Sequence, residues 1–381
     1  MVFFEQLISS AGLAVWVLSG VMLMAFLIQL IYYLGTFSKI HRHRHPELSG
    51  RMHGISVIIC ARNEAENLRK NLPAFLDQVY PDFEVVVVND CSTDDSDEVL
   101  MTLKLTYPNL HVTSIQEDRK FTHGKKLAVT VGIKAAKFDH MLFSDADCYP
   151  ASKNWIKLMS RHFSSNKELI LGIGKYERKK GLLNLLVRYE TFMTAMTYIS
   201  FAIKGHAYMG VGRNMGYRKD LFYKHKGFAS HLKVLSGDDD LFVNEASTRQ
   251  NTTVEISTDS FTYSTPPDTF RKWFRQKRRH LTTGKYYKAS SKFSLGAELM
   301  SRMLFYGTFI ALLTFDYWKY VALGAFFLLV INKLIVIKMN MKRLDERDLL
   351  LPSLLLDPLM PLLLGIIRIA NIFRPREPKW N

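Results

Sequence analysis

Cysteine is scarce: Cys60, Cys91 and Cys148 are the only three in 381 residues, and their spacing suits neither a disulfide framework nor a zinc site. They are expected to be small, buried, unpaired side chains in a reducing compartment. Also absent are a G-x-G-x-x-G turn and a Walker loop, which weighs against dinucleotide-dependent hydride transfer and P-loop chemistry. Basic residues outnumber acidic ones by 51 to 35, a formal net charge of +16. No zinc-ligand spacing, RNP pattern or basic heptad region turns that surplus toward nucleic acid. Contact with a membrane surface and with polyphosphate explains it better. No internal repeat or low-complexity linker stands out. What is abundant is apolar length: 48% of the residues are hydrophobic and the mean hydropathy is −0.02, high for a soluble protein, so part of the chain belongs in lipid.

The first apolar run, residues 11–37, carries no charge and is long enough to cross a bilayer at about 1.5 Å per residue. A cleaved signal peptide is the rival, but the run exceeds an apolar core of about 7–15 residues and its basic cluster follows it instead of preceding it. That cluster, Lys39, His41, Arg42, His43, Arg44 and Arg51, predicts an outside N-terminus and a cytoplasmic domain over residues 52–290. Two further spans, 299–316 and 320–338, flank the turn Asp316-Tyr317-Trp318-Lys319-Tyr320 and read as a helical hairpin returning to the basic stretch 338–347. Segment 349–373 is apolar but holds Pro352, Asp357, Pro358 and Pro361, and Arg374, Arg376 and Lys379 follow it. It reads either as a transmembrane helix or as a re-entrant or interfacial segment.

Between the apolar runs, strand-like segments alternate with helical ones, which predicts an α/β domain with a mostly parallel sheet. Ile55 to Cys60 is the first strand, followed by Ala61-Arg62-Asn63-Glu64 and a helix. Glu84 to Asn89 is the second, ending in Asp90, and His111 to Ile115 the third, before Gly124-Lys125-Lys126 opens another helix. Met141-Leu142-Phe143-Ser144 is a buried strand that ends in Asp145-Ala146-Asp147-Cys148. Ligands of open α/β sheets collect beyond the carboxyl ends of strands. Two carboxylates there suit a hard divalent cation, Mg²⁺ or Mn²⁺, shared with substrate phosphates; a solvated pair capping the next helix is the plainer alternative.

Gly181 to Ile203 reads either as a core helix or, the favoured reading, as an amphipathic helix on the membrane surface. Gly210 to Gly216 is glycine-rich, so backbone could approach a ligand there. Asp238-Asp239-Asp240 sets three carboxylates side by side, as on a solvated loop or around a site that raises one pKa. Trp273 to His280 is strongly basic.

Taken together, the Ala-Arg-Asn-Glu turn with Asp90, the Asp145–Asp147 pair, the triple aspartate and Gln276-Lys277-Arg278-Arg279-His280 resemble, in order, the motifs of membrane-bound family 2 glycosyltransferases of GT-A fold. That group includes cellulose, chitin and hyaluronan synthases and ceramide glucosyltransferase, and the likeness runs from about Ser56 to Tyr287. The resemblance implies that Ala61, Arg62, Asn63, Glu64 and Asp90 hold the base and ribose of a nucleotide, usually uridine. Lys125 would sit near the diphosphate, Asp145 beside the nucleotide and metal, and Asp147 on the metal. The family's acidic pair matches Asp238 and Asp239, with Asp239 as catalytic base; an ungapped match places the base at Asp238, and Asp240 ranks behind both. Gln276 and Arg279 match the family's Q-x-x-R-W motif, but His280 replaces the tryptophan that lines the acceptor site in relatives, which leaves acceptor type and processivity open.

The implied reaction is inverting transfer from a nucleotide sugar to a lipid, lipid-linked or polysaccharide acceptor, giving a β-linkage. Three or four spans are few for a self-contained polymer channel, which favours a lipid or lipid-linked acceptor, or a synthase working as a homo-oligomer or with export partners. A non-catalytic nucleotide-binding scaffold is the alternative from another class, but the chain keeps three acids where a degenerate relative would be expected to lose them. A nucleotidyltransferase would also place metal on phosphates, without needing the Gln-Arg element ahead of a membrane hairpin.

Overall fold

The computed structural model describes residues 12–46, 52–116, 124–234 and 236–373. Ala11, Arg51 and the tail cations Arg374, Arg376 and Lys379 lie outside the described residues. The chain divides into two compact units, one taking His43–Lys288 with the stretch from Ile367 onward, the other the chain before His43 with Ala289–Ile366.

The first unit is α/β. Its main sheet has seven strands in the order β3-β2-β1-β4-β8-β6-β9, where β1 is Ile55–Ala61, β2 Phe83–Asp90, β3 Leu110–Ile115, β4 His140–Asp145, β6 Leu169–Leu171, β8 Met215–Arg218 and β9 Thr252–Val254. Strands β3, β2, β1 and β4 run parallel, while β8 is antiparallel to both β4 and β6. The continuous apolar sequences of β1 and β2 suit strands covered on both faces. Helix α1, Ala65–Leu76, places Leu68, Leu72, Phe75 and Leu76 in the core cluster with β1 and β2. Helix α2 is Ser96–Thr106, and α3, Lys125–Ala135, lies close on the sheet, where a Cβ at Gly132 would sit 2.6 Å from Ile58 Cγ2.

A small second sheet joins β5 (Cys148–Pro150), β10 (Thr262–Ser264) and β7 (Gly174–Tyr176). Helices α4 (Trp155–Ser160), α5 (Leu182–Ile203), α6 (Lys219–Lys224), α7 (Asp240–Ala246) and α8 (Phe270–His280) complete the unit. The favoured reading of 181–203 as a membrane-surface helix is corrected: α5 is a core helix. Its buried positions include Arg188 and Glu190 as well as Val187, Phe192 and Ile199, and Glu190 is ion-paired with Lys277. Its charges mark internal pairing instead of a wet face. None of the three cysteines is in a disulfide among the described residues; Cys148 is buried as expected, whereas Cys60 and Cys91 are only half-buried.

In the second unit, Leu13–Leu30 is α-helical and continues through a π-helical segment, Ile31–Phe37. Among the described residues, three stretches are long and apolar enough to cross a membrane: Leu13–Arg42, Trp318–Arg343 and Arg347–Asn371. The helix Ala289–Leu312 carries Glu298 and Arg302, and the helix Leu350–Phe373 is continuous through Pro358 and Pro361. Polar groups in this unit face one another. Gln29 donates to Ser301 Oγ at 2.9 Å. Asp357 receives Arg302 at 3.2 Å and Tyr306 at 3.1 Å and is also ion-paired with Lys333. Large apolar side chains such as Leu13, Leu23, Phe327 and Ile331 point outward, as in a unit solvated by lipid.

Candidate active site

The sheet register sets the site. Ala61 lies opposite Asn89 and Cys60 opposite Asp145, so the carboxyl ends of β2, β1 and β4 bring Asp90, the Ala61–Glu64 turn and Asp145 to one edge. The turn is stitched to the segment after β2: the Asn63 amide donates to Ser92 Oγ at 2.9 Å, the Thr93 amide to Asn63 Oδ1 at 2.8 Å and the Glu64 amide to Ser96 Oγ at 3.1 Å. Asn63 adopts φ 54°, a left-handed conformation that asparagine tolerates better than most residues. Asp90 is fully buried and Arg62 half-buried. Glu64 is pushed above its ordinary pKa by burial and by the charges of Asp147 and Asp145, against a hydrogen bond from Asn67.

At the next strand end, Lys125, the first residue of α3, bridges two acids, with Nζ 2.8 Å from Asp145 Oδ1 and 3.3 Å from Asp238 Oδ2. Asp145 is therefore held below the carboxylate range despite its burial, with Arg213 and Arg279 adding to the effect. Asp147 is pushed up by desolvation in the cleft and by the charge of Asp145. Ligand atoms of Asp145, Asp147 and Cys148 all lie within 4.8 Å of one another. Burial and the two aspartates push the Cys148 thiol far up, so it stays protonated, and the two hard carboxylates are the donors that suit Mg²⁺ or Mn²⁺. A cation there would relieve the crowding that raises Asp147.

The three adjacent aspartates face three different partners. Asp238 pairs with Lys125. Asp239 accepts the Gly212 amide at 2.7 Å and the Asp240 amide at 2.8 Å; burial, Asp238 and Asp240 push it up to about 7. Asp240 is buried and accepts from Tyr287 at 2.8 Å and from Thr283, so it ties α7 to the segment after α8. A cavity of about 20 Å³, bordered by Lys125, Asp145, Gly212, Asp238 and Asp239, separates these groups. Gly212 thus does face the site, whereas Gly216 serves packing: a Cβ there would lie 2.8 Å from the Met141 carbonyl.

Gln276 and Arg279 lie on α8. Gln276 Nε2 donates to Tyr176 Oη at 2.9 Å, and the Arg213 guanidinium stacks 4.6 Å from the centre of the same ring. Arg213 also donates to the Gly174 carbonyl at 2.8 Å and to Ser264 Oγ at 3.1 Å. Sequence reasoning missed Arg213 and Tyr176. The only signal for Arg213 was its place inside the glycine-rich stretch. Lys126, whose Nζ donates to the carbonyls of His231 and Val234 at 2.6 Å each, was missed as the anchor of the segment leading to Asp238.

Acids and cations gathered beyond the carboxyl ends of β1, β2 and β4 in this mixed sheet are arranged on a GT-A fold. Residues 56–226 match the family described as Glycosyl transferase family 2. Over 97 residues it is 30% identical to a poly-beta-1,6-N-acetyl-D-glucosamine synthase of Staphylococcus epidermidis, covering 26% of this chain and 22% of that protein. Over 105 residues it is 34% identical to glycosyltransferase AglE of Haloferax volcanii, covering 27% of this chain and 33% of that protein. The chain therefore aligns with no more than about a third of either relative's length. The mannosyltransferase PcManGT of Pyrobaculum calidifontis, solved with GDP-Man and Mn²⁺, shares the fold with a TM-score of 0.57 at 16% identity, covering 90% of this chain and 98% of that one.

Proposed function

We propose that the protein is an inverting glycosyltransferase that moves a sugar from a nucleotide-sugar donor, a UDP-sugar, to a lipid, lipid-linked or polysaccharide acceptor at the membrane. The observation that carries the reading is the convergence of a raised carboxyl, Asp239, with the Lys125–Asp145 pair at one sheet edge. The Ala61–Glu64 turn and Asp90 hold the nucleoside, and Lys125 and Arg279 face the diphosphate. Asp147 and Asp145 would hold a divalent cation, which would supply positive charge to neutralise the leaving phosphate. Asp239 takes the acceptor proton, because its raised proton affinity suits a base near neutral pH. Asp238 is the poorer base because Lys125 already neutralises it. With one base and no carboxylate nucleophile, a single displacement inverts the anomeric carbon, so an α-linked donor gives a β-product.

Orientation follows from the basic flanks, with the α/β unit cytoplasmic and residues 316–320 outside. A cysteine at Lys319 should react with an impermeant thiol reagent in intact cells, and one at the exposed Lys104 of the α/β unit should not. The activity itself is tested by incubating the purified protein with a panel of nucleotide sugars and membrane lipids and identifying products by mass spectrometry. Absence of any glycosylated product alongside intact nucleotide binding would favour the scaffold reading.

A further inference from the structure

Beside the site lies an open groove of about 1340 Å³, larger than the roughly 300–1,000 Å³ typical of small-molecule pockets. Of the residues assigned above to donor and metal, only Asp147, Gln276 and Arg279 border it; Glu64, Asp90, Lys125 and Asp145 do not. The groove thus meets the proposed site at Asp147, Gln276 and Arg279, and its other lining residues are not among those assigned to the nucleotide.

Seven cations line it against two carboxylates, Asp147 and Asp268. Their placement follows from α8: Trp273 and Lys277 are buried on one face, while Arg271, Arg275 and Arg278, spaced four and three residues apart, line the groove from the other. Lys272 is already paired with Asp268 at 2.9 Å and Lys179 with Glu177 at 3.6 Å. The side chains of Arg271, Arg275 and Lys180 have no ion pair or hydrogen bond within the described residues. Apolar groups sit among the charges: Leu183, Phe274, Pro266 and Pro267 line the groove, and the neighbouring Leu182 and Phe270 are 85% and 51% exposed. Positive charge interleaved with exposed apolar surface is complementary to an amphiphile with an anionic head.

We infer that the acceptor is a lipid carrying a phosphate ester. Its phosphate is held by Lys180, Arg271 and Arg275, and its reacting hydroxyl lies at the Asp147 end of the groove. This rests on the transfer reading and narrows its acceptor class.

The test is calorimetry on the full chain in neutral detergent with four probes: short-chain phosphatidylglycerol, the matching uncharged diacylglycerol, glycerol phosphate without acyl chains, and UDP with Mn²⁺. Phosphatidylglycerol should bind, with diacylglycerol and glycerol phosphate each weaker by about tenfold or more. Lys180→Ala, Arg271→Ala and Arg275→Ala together should lower phosphatidylglycerol affinity at least about tenfold and leave UDP binding unchanged, while Arg271→Lys with Arg275→Lys restores much of it. Equal binding of diacylglycerol removes the phosphate from the proposal, and glycerol phosphate binding as tightly as the lipid removes the lipid. Wild-type lipid affinity in the triple alanine variant overturns the site. Failure of UDP to bind the wild type while phosphatidylglycerol binds counts against the transfer reading and not against the groove.

Discussion

Gly212 donates its amide to Asp239 Oδ2 at 2.7 Å, which joins the glycine-rich stretch to the acidic one. Together with the Asp240 amide on the other oxygen, it fixes the carboxyl without neutralising it, and burial beside two more aspartates still pushes Asp239 up to about 7. Only the deprotonated form can accept the acceptor proton. The transfer rate should therefore rise with pH through about 7 and level off above it. Asp239→Asn should lose that limb and about 10²–10⁴ in turnover with donor affinity little changed. Rate–pH profiles of both proteins and calorimetry with UDP check this. A dead Asp238→Asn beside an active Asp239→Asn moves the base by one residue.

Asp147 differs from Asp145 in having, among the described residues, no cation paired directly with it, so its charge is the one a divalent ion would satisfy. Asp147→Asn should abolish Mn²⁺-dependent UDP binding in calorimetry and leave the thermal midpoint unchanged or slightly raised, because crowding next to Asp145 is relieved. Unaltered sugar transfer by this variant in EDTA would sink the assignment.

The strands and their acidic ends were legible because uninterrupted apolar runs that stop at Asp90 and Asp145 leave little choice of element. The three roles inside Asp238–Asp240 were not. Identical side chains in consecutive positions are distinguished by partners such as Lys125, Gly212 and Thr283, which lie 27 to 113 positions away in the chain. Helix α5 misled for a related reason. Arg188 and Glu190 look like a wet stripe until Lys277, from another helix, is seen beside Glu190. Arg213 was hidden among glycines that turn out to serve packing as much as any ligand.

Glu255 is fully buried away from the transfer site and accepts from Arg161 Nε at 2.9 Å, His162 Nε2 at 2.7 Å and the Ser257 amide at 2.7 Å. Despite burial, His162, His45 and the Ser257 amide hold its pKa far below the ordinary glutamate range. A depressed folded-state pKa contributes stability that is full above the unfolded value, about 4.3, and is lost as pH falls below it. Glu255→Gln should destabilise the α/β unit by about 3–5 kcal/mol at neutral pH by leaving Arg161 buried and unpaired. Denaturant melts of wild type and variant should converge as pH drops below about 4.

Asp357 lies in the middle of the apolar stretch Arg347–Asn371, and it is buried where Arg302 and Lys333, from two other helices of the same unit, meet it. Ionisable groups at such depth are tolerated when paired. Taking the acid away leaves two cations enclosed, with, among the described residues, only the carboxylate of Glu298 on Arg302 and no other carboxylate on Lys333. Asp357→Leu, although it makes the helix more apolar, should therefore destabilise the unit, by about 3–5 kcal/mol. Asp357→Leu with Lys333→Met should recover most of the loss, because the remaining Arg302–Glu298 pair is neutral. Thermal unfolding in detergent, followed for both variants beside wild type, checks this; a single variant as stable as wild type would show that the three charges do not depend on one another.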